Sequence, residues 1–236
     1  MTELAGECLV VQLGRTDYHA ALALQQRVRD AREIDLIGDT LLLLEHDAVL
    51  TRGRRSTAEE LPRGEQWYAE QGIEIVDVDR GGRVTYHGPG QLVGYPIVRS
   101  ADVVAHVRAL EQLIIGVLAG QGIEARARTD EGADFTGVWV EDRKIASIGV
   151  HLRRSITTHG FSINVAMDME PWQWIVPCGL AATITSIEQE SGSTPTAAQF
   201  ADQLAAAWAA QQGAALLQVS PQQLSELIAP ADTALG

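Results

Sequence analysis

Apolar residues in this chain come in short runs, and that pattern narrows the fold more than any other feature. Leu41–Leu44 has the length of a buried strand, Ile73–Val78 alternates apolar with acidic residues as a half-buried strand does, and no run approaches the roughly 20 residues of a membrane-spanning helix. Strands are predicted at Glu7–Leu13, Thr40–Glu45, Ile73–Val78, Gln91–Val98 and Ile156–Val165, with a hairpin joining Val138–Val140 to Ile145–Leu152 around Glu141-Asp142-Arg143. Helical periodicity is confined to a few spaced segments. One runs from a cap at Thr16 or Asp17 to about Arg32, one from Asp102 across Val103–Ala119, one from Thr194 through about Gln212, and a short one starts at Pro221. Many strands, few helices and several hairpins predict an α+β fold with a mixed sheet, not the regular alternation of a doubly wound α/β sheet. Arg52–Gln71, polar and broken by Pro62 and glycines, reads as a mobile loop with one short helix. No repeat or linker divides the chain, so a single domain over residues 1–228 is expected, with a disordered tail at 229–236.

At 46% hydrophobic and 21% charged residues, the composition is that of an ordinary soluble globular protein. The N-terminus, MTELAGECLV, has neither the basic nor the long apolar region of a secretory signal, and two cysteines, Cys8 and Cys178, make no disulfide framework. A reducing cytoplasm and a monomer are expected, with no membrane attachment. A net charge of −13 argues against nucleic acid as a partner, because phosphate contacts need a basic face. The basic residues Arg52, Arg54, Arg55, Arg80, Arg83, Arg143, Lys144, Arg153 and Arg154 nevertheless fall in a few segments. They form either a local basic patch suited to an acidic partner or scattered surface ion pairs. Among 17 arginines the chain keeps one lysine, Lys144. Arginine does not give up its proton in a protein and lysine can, so a site that needs a reversible proton carrier would resist the arginine bias.

Four segments could carry chemistry. In Pro177-Cys178-Gly179 a thiol sits between a stiff and an open residue; it is either a nucleophile with room for an acyl group or a small hydrophobe in the core, the reading that suits Cys8. Lys144 opens a strand, and alternation would put it on one face with Ala146 and Ile148, the small Ala146 leaving space beside the amine; the alternative is a solvated turn lysine. Arg80-Gly81-Gly82-Arg83-Val84-Thr85-Tyr86-His87-Gly88-Pro89-Gly90-Gln91 has neither dinucleotide nor phosphate-loop glycine spacing. It reads as two tight turns around a short strand, or as a bare backbone along which a substrate can lie. Thr158-His159-Gly160-Phe161-Ser162-Ile163-Asn164 could form the opposite wall of one pocket or hold a satisfied structural histidine. Scattered histidines, without HExxH, CxxC or a calcium loop, give metals little support, and there is no serine-hydrolase elbow.

Together these segments resemble the octanoyltransferase family, the lipoyl(octanoyl) transferases. The family signature Arg-Gly-Gly…Thr-aromatic-His…Gly-Gln…Tyr stands as RGGRVTYHGPGQLVGY from Arg80 to Tyr95. KIASIG (Lys144–Gly149), HGFSIN (His159–Asn164) and Pro177-Cys178-Gly179 follow in the family's order, and HDAVLTRGRR is similar to its N-terminal loop. The resemblance implies the fold of lipoate and biotin protein ligases in one catalytic domain. It implies octanoyl-acyl carrier protein as donor, an octanoyl thioester on Cys178, and acceptor lysines on lipoyl domains of 2-oxoacid dehydrogenases and the glycine-cleavage H protein. Lys144 corresponds to the lysine that lowers the cysteine pKa. Arg80, Gly81, Gly82, Arg83, Val84, Thr85, Tyr86, His87, Ser147, Ile148, Gly149, His159, Gly160, Phe161 and Ser162 correspond to substrate-contacting stretches.

The chemistry of that expectation is consistent. Exchange of one thioester for another is nearly isoenergetic and thioester to amide is downhill, so neither a nucleotide, a metal nor another cofactor is required. Three other readings remain at this point: a same-fold ligase that activates its acid with ATP and does not need Cys178, a non-catalytic acyl-binding protein, and a cysteine hydrolase that releases octanoate.

Overall fold

The computed structural model describes residues 7–176 and 183–234. In chain order the elements are β1 (Glu7–Arg15), α1 (Tyr18–Glu33), β2 (Thr40–Glu45), β3 (Val49–Arg52), α2 (Glu65–Glu70), β4 (Glu74–Asp77), β5 (Thr85–His87), β6 (Gln91–Ile97) and α3 (Val103–Ala119). They continue as β7 (Arg126–Ala127), β8 (Gly137–Val140), β9 (Arg143–Arg153), β10 (Ile156–Asn164), β11 (Thr183–Ile184), α4 (Ile187–Ser191), α5 (Ala197–Gln212), β12 (Ala215–Gln218) and α6 (Pro221–Ala234).

Among the described residues a nine-stranded mixed sheet has eight strands in the order β12–β1–β2–β6–β10–β9–β8–β7, and the ninth, β11, pairs β9 off this path. β10 pairs β9 from Ile156 opposite Arg153 to Ile163 opposite Ala146, and beyond that point β11 pairs the start of β9 in parallel, Thr183 with Arg143 and Ile184 with Lys144. Leu41 and Leu43 pack into a core with α3 and α5, while Leu42 and Leu44 pack into a second core with α1 and α6. A strand covered on both faces must be apolar at successive positions, which explains the Leu41–Leu44 run. Burying each such leucine contributes about 1.5–3 kcal/mol, so this strand anchors both helical layers. The architecture is a mixed α+β sandwich in a single domain, as the sequence pattern predicts.

Capping sets the helix starts. Asp17 Oδ1 accepts from the Ala20 amide at 2.9 Å, and Asp102 Oδ1 from Val104 and Ala105 at 2.8 and 3.1 Å. α5 starts two residues later than a Thr194 cap would set it: Thr196 forms a reciprocal capping box with Gln199, which Thr194 has no partner to match. α6 runs past Ala229, where the sequence reading places a disordered tail; Ile228 and Ala231 are buried in the α1/α6 core and give that segment a reason to order.

A second sheet, β4–β3–β5, stands beside the first on its own core of Leu50, Tyr68, Tyr86 and Trp172. β3 joins it from a stretch the sequence left without an element. This small sheet carries the glycine-rich segment, and the cavity described next lies between it and the strands β9 and β10.

Candidate active site

A β-bulge aims the one lysine. β8 and β9 pair Gly137 with Ser147 and Val138 with Ala146, then Trp139 with Lys144, so Ile145 is an extra residue opposite the break. Ile145 and Ala146 both turn into the core, and Lys144 comes out with Ser147 and Gly149 along a cavity. Lys144 is 2% exposed, and its Nζ lies 5.2 Å from the Trp139 ring centroid. Strict alternation, which groups Lys144 with Ala146, is therefore wrong here. The space beside the amine comes from Gly137: a Cβ there would stand 2.7 Å from Lys144 Cε.

The cavity is an open cleft of about 610 Å³ when the solvent at its mouth is counted, with room for water-sized groups in about 60 Å³ of it. One wall is β9, with Lys144, Ser147, Ile148 and Gly149. A second is β10, with His159, Gly160, Phe161 and Ser162. The third is the glycine-rich segment, with Arg80, Gly82, Arg83, Val84, Thr85 and His87. The segment lies hard against β9, where the Gly81 amide donates to Val150 O at 2.9 Å and a Cβ on Gly149 would stand 2.8 Å from Gly81 O. Only glycine at 149 permits that approach. Two expected substrate-contacting residues do not reach the cavity. Gly81 is turned to this backbone contact, and Tyr86, between Thr85 and His87 on β5, faces the other way and meets the Trp172 ring edge-on at 5.9 Å.

Side-chain amides connect the three walls. Asn164 Nδ2 donates to Thr185 O at 2.9 Å, so its Oδ1 is the atom that accepts from Gln91 Nε2 at 3.0 Å. Gln91 Oε1 then accepts from His87 Nδ1–H at 2.7 Å, which leaves Nε2 as the unprotonated nitrogen of His87. The Thr185 amide in turn donates to Lys144 O at 3.0 Å, so the chain of bonds ends on the lysine backbone. His46 Nδ1–H donates to Thr16 O at 2.8 Å, and its Nε2 accepts from the Tyr95 hydroxyl at 2.7 Å. His159, at φ 56 inside β10, is held by its amide to Gln25 Oε1 at 2.8 Å and by Nε2 to Asp79 Oδ1 at 2.8 Å. Burial lowers the pKa of His46 and of His159, and takes His87 down to about 3 with help from nearby His46. All three are neutral near pH 7.

Arg80 is buried, and its guanidinium donates to Thr51 O at 2.9 Å and Thr51 Oγ1 at 2.7 Å, which fixes the start of the glycine-rich segment. Other arginines of the basic segments are paired: Arg52 with Asp77 and Glu65, Arg55 with Asp134, Arg83 with Glu60 and Asp134, Arg143 with Glu190 and Glu141, and Arg154 with Glu33. Of the two sequence readings, ion pairs describe these residues better than a bare basic patch. Sequence reasoning did not assign Tyr18, Arg55, Val93, Tyr95 or Asp134 to the site, yet all line the cavity. Tyr95 closes the quoted signature and offered a signal; Tyr18 reads as helix face, and Asp134 lies in a stretch without a motif.

Cys178 lies outside the described residues. The chain leaves them at Val176, whose amide donates to Glu60 O at 3.0 Å, and re-enters as β11 beside Arg143 and Lys144. Cys8 is buried, and burial, then the nearby Asp39 carboxylate, pushes its thiol up to about 11. Among the described residues no helix is long and apolar enough to cross a membrane, and no three His, Cys, Asp or Glu side chains are grouped to hold a metal.

The geometry has counterparts among known proteins. The lipoyl protein ligase A/B catalytic domain family matches residues 17–209. The fold aligns with a crystal structure of lipoate-protein ligase A bound with ATP at a TM-score of 0.74 and 15% identity, covering 96% of this chain and 94% of that one. It also aligns with a bi-partite lipoate protein ligase from Thermoplasma acidophilum at 0.73 and 15%, covering 96% and 92%. At such identities the likeness is one of fold. Sequence relatives are nearer: an octanoyltransferase of Solibacter usitatus is 50% identical over 76% of this chain and 82% of its own, and one of Mycobacterium tuberculosis is 45% identical over 84% of each. The chain belongs to the lipoyl protein ligase A/B catalytic-domain family and, within it, to the octanoyltransferases. It is an acyltransferase of lipoyl-protein modification.

Proposed function

We propose that this enzyme takes an octanoyl group from octanoyl-acyl carrier protein onto Cys178 as a thioester and delivers it to a lysine of a lipoyl domain, in the 2-oxoacid dehydrogenases or the glycine-cleavage H protein. The observation that carries the reading is Lys144, a buried amine turned by a bulge into a cavity, at the strand position where the chain returns from the Cys178 segment as β11. In the first half-reaction Lys144 Nζ takes the Cys178 proton, and the thiolate attacks the donor thioester carbonyl. The carbon–sulfur bond to the carrier then breaks, and Lys144 returns the proton to the leaving thiolate. In the second, Lys144 takes a proton from the attacking amine, the amide bond forms, and Cys178 leaves as thiolate and is reprotonated. Of the two cysteines, Cys8 is excluded by its raised pKa and burial. Thr85, His87, Ser147, Gly149, Gly160 and Ser162 line the path along which the acyl group lies. A reducing cytoplasm suits an enzyme whose nucleophile is a thiol.

Intact mass after mixing with octanoyl-acyl carrier protein tests this. One added octanoyl group, removed by hydroxylamine and missing in Cys178→Ser, is the expected result; no adduct, or an adduct that survives in Cys178→Ser, overturns it. A second reading, an ATP-dependent ligase, draws on the fold likeness to the ATP-bound lipoate-protein ligase A. Pyrophosphate exchange into ATP would favour it, and acyl transfer without nucleotide opposes it.

A further inference from the structure

α3 buries a carboxylate that the reaction scheme does not use. Glu111 is 0% exposed. Its Oε1 accepts from the Gly137 amide at 3.1 Å and its Oε2 from Arg108 Nη1 at 2.6 Å. A buried carboxylate is costly to keep, and an apolar residue would serve packing alone better. What it holds is informative. Gly137, at φ 134 in a region open to glycine only, begins β8 immediately before the bulge, and its Cα faces the Lys144 side chain. A Cβ there would fall 2.4 Å from Ala146 O, 2.7 Å from Lys144 Cε and 3.4 Å from Lys144 Nζ. The Gly137 backbone and the Trp139 ring thus flank the end of the lysine, and the Glu111 hydrogen bond fixes the first of them.

We infer that Glu111 is a positioning residue for Lys144: its hydrogen bond to Gly137 sets the wall against which the amine lies and so the amine's reach toward the reacting thiol. The inference rests on the proposed role of Lys144 as proton carrier. It separates reach from charge. Glu111→Gln keeps the acceptor at the right distance without the charge, whereas Glu111→Asp keeps the charge one methylene short of the Gly137 amide.

The test is the pH dependence of Cys178 alkylation by iodoacetamide, read by intact mass, which needs no acyl donor. Wild type, Glu111→Gln, Glu111→Asp and Lys144→Ala are compared after circular dichroism has shown each to be folded. Lys144→Ala moves the alkylation midpoint upward if the lysine sets the thiol's ionisation. Glu111→Asp is expected to move it upward by about one pH unit, a tenfold slower reaction at neutral pH, and Glu111→Gln to stay within about threefold of wild type. A Glu111→Asp profile matching wild type, or a Glu111→Gln profile matching Lys144→Ala, overturns the positioning role while leaving Lys144 in place. An unmoved Lys144→Ala profile overturns the proton-carrier reading, and this inference with it. If Glu111→Asp does not fold, Glu111→Gln decides alone: a profile within about threefold of wild type supports the positioning role, and one matching Lys144→Ala overturns it.

Discussion

The Gln91 side-chain amide donates to Asn164 Oδ1 at 3.0 Å, joining two segments 73 residues apart. Because Asn164 is oriented by Thr185 O and Gln91 by Asn164, the bond also decides which nitrogen of His87 carries the proton. Three of the four motif segments are held in one frame by these amides.

Breaking that frame has a defined cost. Asn164→Leu leaves Gln91 Nε2 and Thr185 O without this partner in a buried site, at about 2–4 kcal/mol. Gln91→Leu in the same protein removes one of the stranded groups, so the double variant should be more stable than the two single losses predict when added. Urea denaturation of the four proteins measures the coupling, and strict additivity would show that the bond contributes nothing.

The histidines under the cavity make the fold acid-sensitive. His87 titrates near 6.5 unfolded and at about 3 folded, and His46 and His159 are shifted in the same direction by burial. Below pH 6.5 the unfolded chain binds protons that the native state refuses, so stability falls as pH drops from 6.5 toward 3. His87 alone accounts for up to about 1.4 kcal/mol per pH unit in that window. Above 6.5 these groups add no pH dependence. Urea midpoints at pH 7.5, 5.5 and 4.5 should decline in that order, and His87→Asn should flatten the decline.

Cys8 should be chemically silent. Its thiol, 2% exposed and raised to about 11, exposes no thiolate at pH 8. Iodoacetamide at pH 8 should add one group to the native protein and two in guanidinium chloride, and Cys8→Ala should retain the wild-type rate of acyl transfer. A second adduct on the native protein would contradict this assignment.

Much of the frame is legible in the letters. The Leu41–Leu44 run announces a strand buried on both sides, Asp102 marks the start of α3, and the motifs announce the cavity walls. What the letters hide is two-residue geometry. Nothing in Lys144-Ile145-Ala146 signals that Ile145 bulges, because the bulge arises from pairing with β8, not from local preference, and it reverses which neighbours share a face with the lysine. β3 and β12 are short strands placed by their sheet partners, so composition alone does not reveal them. Thr196 was readable through Gln199 three residues on, a spacing that distinguishes it from Thr194.

Glu60 ties the glycine-rich segment to the chain that leads to Cys178. Its carboxylate, in a residue 2% exposed, accepts from Val84 N at 3.1 Å and Arg83 Nη1 at 2.9 Å, and its carbonyl accepts from Val176 N. Glu60→Ala strands the buried Val84 amide at about 1–3 kcal/mol. Glu60→Gln keeps that acceptor and should lose less. Thermal denaturation of the pair checks the order, and an equal loss in both would assign the effect to the Arg83 charge.

Lys144→Arg is the sharpest substitution available, because it keeps a long side chain and a positive charge while removing the ability to release a proton. If Lys144 served only to attract a thiolate, the arginine variant would acylate at a rate near wild type. If it carries the proton in both half-reactions, each should slow by the factor typical of general acid–base groups, about 10²–10⁴. Single-turnover acylation followed by intact mass reads the first half, and amide formation on a lipoyl domain from pre-formed octanoyl-enzyme reads the second. The arginine head is bulkier and the Gly137 wall is close, since a Cβ there would stand 2.7 Å from Lys144 Cε, so a misfit could mimic the loss. Lys144→Ala with added small primary amines resolves that ambiguity: partial rescue whose rate follows the amine's basicity requires a proton carrier, and no misfit would respond to it.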